Sequence, residues 1–146
     1  VHGGMMITRI SSFLLLATLA TLVLETAPRS ARASEFDGSR NLLCAPNDVV
    51  ECDTTARCER ESIEDIDLPS FVHVQFSKKR LVSAGGGDQR ETPIQNVQNV
   101  NGLTILQGAE NGRAWSVVID QNSGRMSGSI ADGGGAFAIF GACLPE

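Results

Sequence analysis

Tyrosine is missing from the 146 residues, tryptophan occurs once and histidine twice. Only one histidine, His73, lies beyond the first 33 residues, and its alternation partners Phe71 and Gln75 place it on an outer strand face. That leaves little for general acid–base chemistry. No G-x-S-x-G elbow is present to expose a serine nucleophile. No Lys-Ser or Lys-Thr follows Gly133-Gly134-Gly135, so that stretch is expected to be a hairpin turn and not a phosphate loop. The acidic run from Glu59 to Asp67 lacks the D-x-[DN]-x-[DN]-G calcium signature and its glycine. A solvated acidic face is expected there. Carboxylates brought together by strand pairing are the one catalytic arrangement left open.

Basic residues are in deficit, 12 against 17 acidic, for a net charge of −5. Nucleic acid and anionic lipid both demand the opposite balance, so neither is an expected partner. A basic protein is the partner class that this charge permits.

No apolar run reaches the ~20 residues of a spanning helix. Ile10 to Leu24 is uncharged for 15 residues, follows Arg9 and precedes Ala31-Arg32-Ala33. That order is the pattern of a secretory signal peptide, expected over residues 1–33 with a signal helix; an uncleaved anchor is the alternative. Val1 to Gly4 precede two methionines and read as non-native residues or a matter of start-codon choice. Cys44 lies too far from the apolar run to be a lipid anchor. Cleavage after Ala33 removes Arg9, Arg29 and Arg32 from the 12 basic residues and Glu25 from the 17 acidic ones, leaving 9 and 16, a net charge of −7. The remainder has one domain's length. A periplasmic or secreted location is expected, with no membrane attachment after cleavage. No cofactor is implied.

Cys44, Cys52, Cys58 and Cys143 make an even count in an exported chain, which implies two disulfides. Their spacing does not suit zinc. Cys52 and Cys58 flank a segment short enough to turn, so Cys52–Cys58 is expected, with Cys44–Cys143 joining the two ends of the domain. Cys44–Cys58 with Cys52–Cys143 is the runner-up.

What is plentiful is turn chemistry between β-type runs. Asn101-Gly102, Asn111-Gly112, Asn122 to Gly124 and Asp132 to Gly135 recur every 10 to 12 residues. Asn-Gly and Asp-Gly supply the positive φ of tight hairpins. Strands are expected over 71–77, 80–83, 92–100, 103–107, 113–120, 125–131 and 136–143, with a weak hairpin around Cys52 and Cys58. The spacing of three between Ile94, Val97 and Val100 breaks alternation and predicts a bulge or bend. Ser62, with Asp65 three residues on and Pro69 as a stop, predicts one short helical turn. The fold expected is all-β: an antiparallel up-and-down meander of about seven or eight strands, closed or nearly closed into a small barrel. Residues 34–48 read as a flexible leader and 49–146 as the single stapled domain.

Trp115 shares a strand face with Val117 and Ile119 and is expected to anchor the core; ligand stacking is its functional alternative. Candidate binding residues are therefore Trp115 and the acidic set Glu59, Glu61, Glu64, Asp65 and Asp67. They point to a non-catalytic exported binding module, one that binds or inhibits a basic envelope enzyme. A small apolar-ligand carrier with a barrel pocket is the alternative, and an unrecognised enzyme the third.

N-G-R-A-W-S-V-V-I-D-Q-N-S-G (111–124), F-G-A-C-L-P (140–145) and I-D-L-P-S-F-V-H-V (66–74) resemble a pattern in small exported proteins of Gram-negative bacteria. The resemblance spans most of the mature chain and implies a periplasmic domain with no assigned activity. The architecture is more distantly similar to periplasmic lysozyme-inhibitor barrels, small meanders stapled between their first and last parts. Their Tyr- and Lys-bearing loops have no counterpart in a chain without tyrosine.

Overall fold

The computed structural model describes residues 34–85 and 89–146, which carry ten strands and no helix. The expected signal peptide and its helix lie outside the described residues. The strands are β1 (Leu42–Asp53), β2 (Cys58–Glu61), β3 (Phe71–Gln75), β4 (Arg80–Ala84) and β5 (Glu91–Pro93). They continue with β6 (Asn96–Val100), β7 (Leu103–Glu110), β8 (Arg113–Asp120), β9 (Arg125–Asp132) and β10 (Gly135–Pro145). All pairings are antiparallel, in the order β5-β4-β3-β1-β10-β9-β8-β7-β6, with β2 added on β1. The nine-stranded path curls into a half-barrel.

Local chemistry builds the meander from β6 to β10. Asn101 (φ 50) with Gly102 (φ 79), and Asn111 (φ 51) with Gly112 (φ 80), make two-residue hairpins closed by Val100↔Leu103 and Glu110↔Arg113. Both central residues at positive φ give the turn whose twist matches the strands. Three further turns hang on aspartates. Asp53 Oδ1 accepts from Thr55 N, Thr55 Oγ1 and Arg57 N at 2.8, 2.7 and 3.0 Å. Asp120 Oδ1 accepts from Ser123 N, Ser123 Oγ and Asn122 N at 2.8, 2.8 and 3.0 Å. Asp132 accepts from Gly134 N at 2.7 Å and Arg113 Nε at 3.2 Å.

These bonds favour the charged carboxylates. The Thr55 hydroxyl and the Arg57 and Thr55 amides hold Asp53 below its ordinary 3.8. The Ser123 hydroxyl and amide do the same for Asp120, and the Gly134 amide and the Arg113 guanidinium for Asp132. With a folded pKa below the unfolded one, the unfolded chain takes up protons first as pH falls. The stabilisation is complete above about pH 4 and is lost as pH drops through the folded values. Thermal melts from pH 5 to pH 2 are expected to show a falling Tm below about pH 4. Asp120→Asn should shallow that fall; an unchanged slope would remove Asp120 from the account.

Four expectations about the fold are corrected. First, residues 42–48 are no leader but the first half of β1, which sits mid-sheet. β1 pairs with β10 along its length, with β3 through 42–44 and with β2 through 49–52. Leu42, Cys44 and Val49 are buried there. Pro46, which cannot donate, stands at the bulge between the two pairings. Second, residues 34–41 are tied down: Ser34 Oγ donates to the Gln121 carbonyl, and the buried Thr104 hydroxyl lies 2.6 Å from Phe36 O. Asn99 Nδ2 donates to Asp37 O at 2.8 Å, and the Phe36 ring packs on the core. Third, the meander is not purely sequential, since β1 lies between β3 and β10.

Fourth, Ser62 to Pro69 makes no helical turn. Ser62 Oγ accepts from Asp65 N at 3.1 Å, as an N-cap residue does, and donates to the Asp65 carboxylate at 2.7 Å. Asp67 then takes φ 55, and Leu68 N bonds back to Ile63 O at 3.1 Å. With Pro69 next, too few residues remain to offset helix nucleation, and the segment stays a series of turns.

The bend expected after Thr92 divides β5 from β6. Ile94 N donates to Lys79 O at 2.8 Å and Gln95 N to Gln107 O at 2.9 Å. One chain segment therefore pairs with β4 on its first half and β7 on its second, the neighbours of the two ends of the strand path. Ile94 is buried at this junction. The core gathers Leu42, Val49, Val74, Leu106, Ile119 and Ile139 around the Cys44–Cys143 disulfide; Cys52–Cys58 staples the β1–β2 hairpin.

Candidate functional site

Strand register places two parallel rows of side chains on the concave face. The inner row runs Val49↔Ile139↔Gly128↔Val117↔Leu106 across β1, β10, β9, β8 and β7. Two residues along each strand comes the outer row, Glu51↔Phe137↔Ile130↔Trp115↔Gly108, with Glu59 of β2 opposite Glu51. Because side chains alternate with period two, both rows face the same way. The inner row is core. The outer row floors a cleft of about 890 Å³ at the mouth of the half-barrel.

Trp115 lies across its cross-strand partner Gly108. A Cβ there would stand 2.4 Å from indole Cζ2 and 2.6 Å from Cε2. The missing side chain is what lets the indole pack flat against β7. Trp115 packs against the core and also lines the cleft. Its Nε1 is buried with no hydrogen-bond partner among the described residues.

Five carboxylates and two guanidinium groups line the cleft: Glu51, Asp65, Asp67, Glu91 and Glu110 against Arg90 and Arg113. Arg90 Nη1 holds Asp67 at 3.0 Å, Arg80 holds Glu91 at 2.7 Å, and Arg113 turns to Asp132 at 3.2 Å. Glu110 accepts from the Thr92 hydroxyl. Glu51, Asp65 and Glu110 have no cationic partner among the described residues. The cleft therefore pairs an aromatic and aliphatic floor with an excess of negative charge.

The expected acidic set divides. Asp65 and Asp67 reach the cleft; Glu59 and Glu61 flank a separate dent of about 210 Å³ with Glu51, Asp53 and Arg57. Glu64 is exposed on the turn and lines neither. Glu51, Glu110, Phe137 and Ile130 carried no sequence signal beyond strand alternation. Their contribution arises from register alone. His73 stands on the convex face, in a row with Leu43 and Leu144, where Nδ1 lies 2.5 Å from Glu146 Oε1. Among the described residues, no group of three or more His, Cys, Asp or Glu is placed to hold a metal ion.

Behind the floor, a second hollow of about 100 Å³ is lined by apolar groups including Val72, Leu81, Leu106, Met126 and Ile139. It adjoins the cleft through Leu68, Trp115 and Ile130, which line both. No protein-family model matches this chain, and no curated protein shows a significant match to it.

Proposed function

We propose that the chain is a non-catalytic exported binding module whose cleft over Trp115 takes a basic partner. The observation that carries this is the joining of three carboxylates with no cationic partner among the described residues, Glu51, Asp65 and Glu110, to an aromatic floor. A lysine or arginine seated there would gain charge attraction and a cation–π contact with the indole. The scaffold is read as a nearly closed barrel, supported by the hydrogen bonds of Ile94 and Gln95 to opposite ends of the path. Two disulfides are compatible with an oxidising, exported setting. A carrier of lipid or pigment finds less support. Ligand pockets are commonly about 300–1,000 Å³ and mostly apolar. The apolar hollow is about 100 Å³.

Trp115 is the sole tryptophan and there is no tyrosine, so intrinsic emission reports on this cleft. Titration with oligolysine and with basic proteins at low salt is expected to change that emission saturably. The response should weaken as ionic strength rises. Combined Glu51→Gln, Asp65→Asn and Glu110→Gln substitutions should abolish it. A salt-independent response, or none, would overturn the reading.

A further inference from the structure

We propose that the cleft recognises a short extended segment in which one aliphatic side chain, the size of leucine or methionine, stands between lysines or arginines. This rests on the binding reading above and names the partner's chemistry. Gly128 stands at the centre of the inner row, between Ile139 and Val117, where a Cβ would meet Ser116 O at 3.2 Å and Val117 Cγ2 at 3.4 Å. The apolar hollow lies beside it, lined by Gly128 together with Val72, Leu81 and Met126. A dry cavity of about 150 Å³ accepts benzene, so about 100 Å³ suits a branched or thioether side chain and excludes an indole. A cation has no counter-charge in that hollow and cannot be its occupant.

The charges lie elsewhere, on both sides of the floor. Glu51 ends the outer row on β1, and Glu110 stands beyond Gly108 on β7 at the other end. Four strand spacings separate those strands, on the order of 15–20 Å along a curled sheet. Phe137, Ile130 and Trp115 occupy the row between them. A segment laid along this row meets a carboxylate, an apolar platform with a hollow behind it, and a carboxylate again. The matching partner is a basic segment with a central apolar anchor. Buried anchors within a polar rim are the usual seat of interface energy.

The test uses the disulfide-bonded chain and peptides of four lysines flanking a central leucine, alanine or aspartate, titrated by calorimetry at low salt. The leucine peptide is expected to bind about tenfold or more tightly than the alanine peptide, from the extra apolar area buried. The aspartate peptide should bind weakest. Val72→Phe, which fills the hollow, should bring the leucine peptide down to the alanine peptide's affinity and leave the alanine peptide unchanged. Equal affinity for leucine and alanine peptides, still salt-dependent, would overturn the anchor and leave the basic-partner reading standing. Binding of none of the three would overturn both.

Discussion

Replacing both Cys44 and Cys143 with alanine is expected to cost about 3–5 kcal/mol of stability. The sequence separation is 99, so the bridge closes nearly the whole domain into one loop. In the chain-entropy account, a loop of about 100 residues corresponds to ~4.7 kcal/mol. The site offers little relief in the folded state. Both residues are buried, and they are direct cross-strand partners in the β1–β10 pairing, in the part of β1 that also pairs with β3. β1 also carries the pairing to β3, so loosening it separates the β3–β4–β5 side of the sheet from the meander. Urea unfolding of the double variant, with the Cys52–Cys58 bond intact, measures the effect. Cys52→Ala with Cys58→Ala should cost less, because a separation of 6 restricts the unfolded chain little. Equal losses from the two pairs would contradict the loop-length argument.

Gly108→Ala is expected to destabilise by about 1–3 kcal/mol through overpacking and to shift the emission of Trp115. The added methyl would meet the indole at 2.4 Å and the Pro93 carbonyl at 2.7 Å, so ring and backbone both oppose it. Gly112→Ala is the matched comparison. Nothing lies within 4 Å of its Cβ position, but φ there is +80. Its cost is one of backbone strain, about 1 kcal/mol, and the indole should keep its emission. A Gly108→Ala protein with wild-type stability and emission would refute the packing of Trp115 on β7. If emission moves as expected, the same variant should weaken basic ligands, since the floor of the cleft has been rebuilt.

Much of the meander was legible residue by residue. Arg113–Asp120 puts Trp115, Val117 and Ile119 on one face between two turn signals, and the strand occupies those residues. The break in spacing at Ile94 marked the bend between β5 and β6. Such features are local: turn chemistry and period-two burial act over a few neighbouring residues. The Ser62–Asp65 pair was read correctly as a capping bond and wrongly as the start of a helix. The left-handed Asp67 that closes the segment has no marker as clear as a glycine. Residues 34–48 read as leader because Ser34 to Leu43 is polar and mixed; the burial of Leu42 and Cys44 depends on the partner strands β3 and β10.

The candidate site belongs to the other category. From the sequence, Trp115 could be placed on an inner face and the acidic turn near Asp65 and Asp67 identified. Nothing in the sequence placed Glu51 in line with Phe137, Ile130 and Trp115, or Gly128 at the hollow behind them. That row depends on the register of four strand pairs, and a one-residue slip in any of them would send its side chains to the convex face. The register of β7 against β8 is set by the Asn111-Gly112 turn and is readable from it. The register of β1 against β10 joins residues some ninety positions apart, with Asn47 bulged out at the Pro46–Asp48 irregularity. No local preference specifies such a pairing. It is decided by burial of Leu42, Val49 and Ile139 together with the Cys44–Cys143 bond, and so only by the assembled sheet.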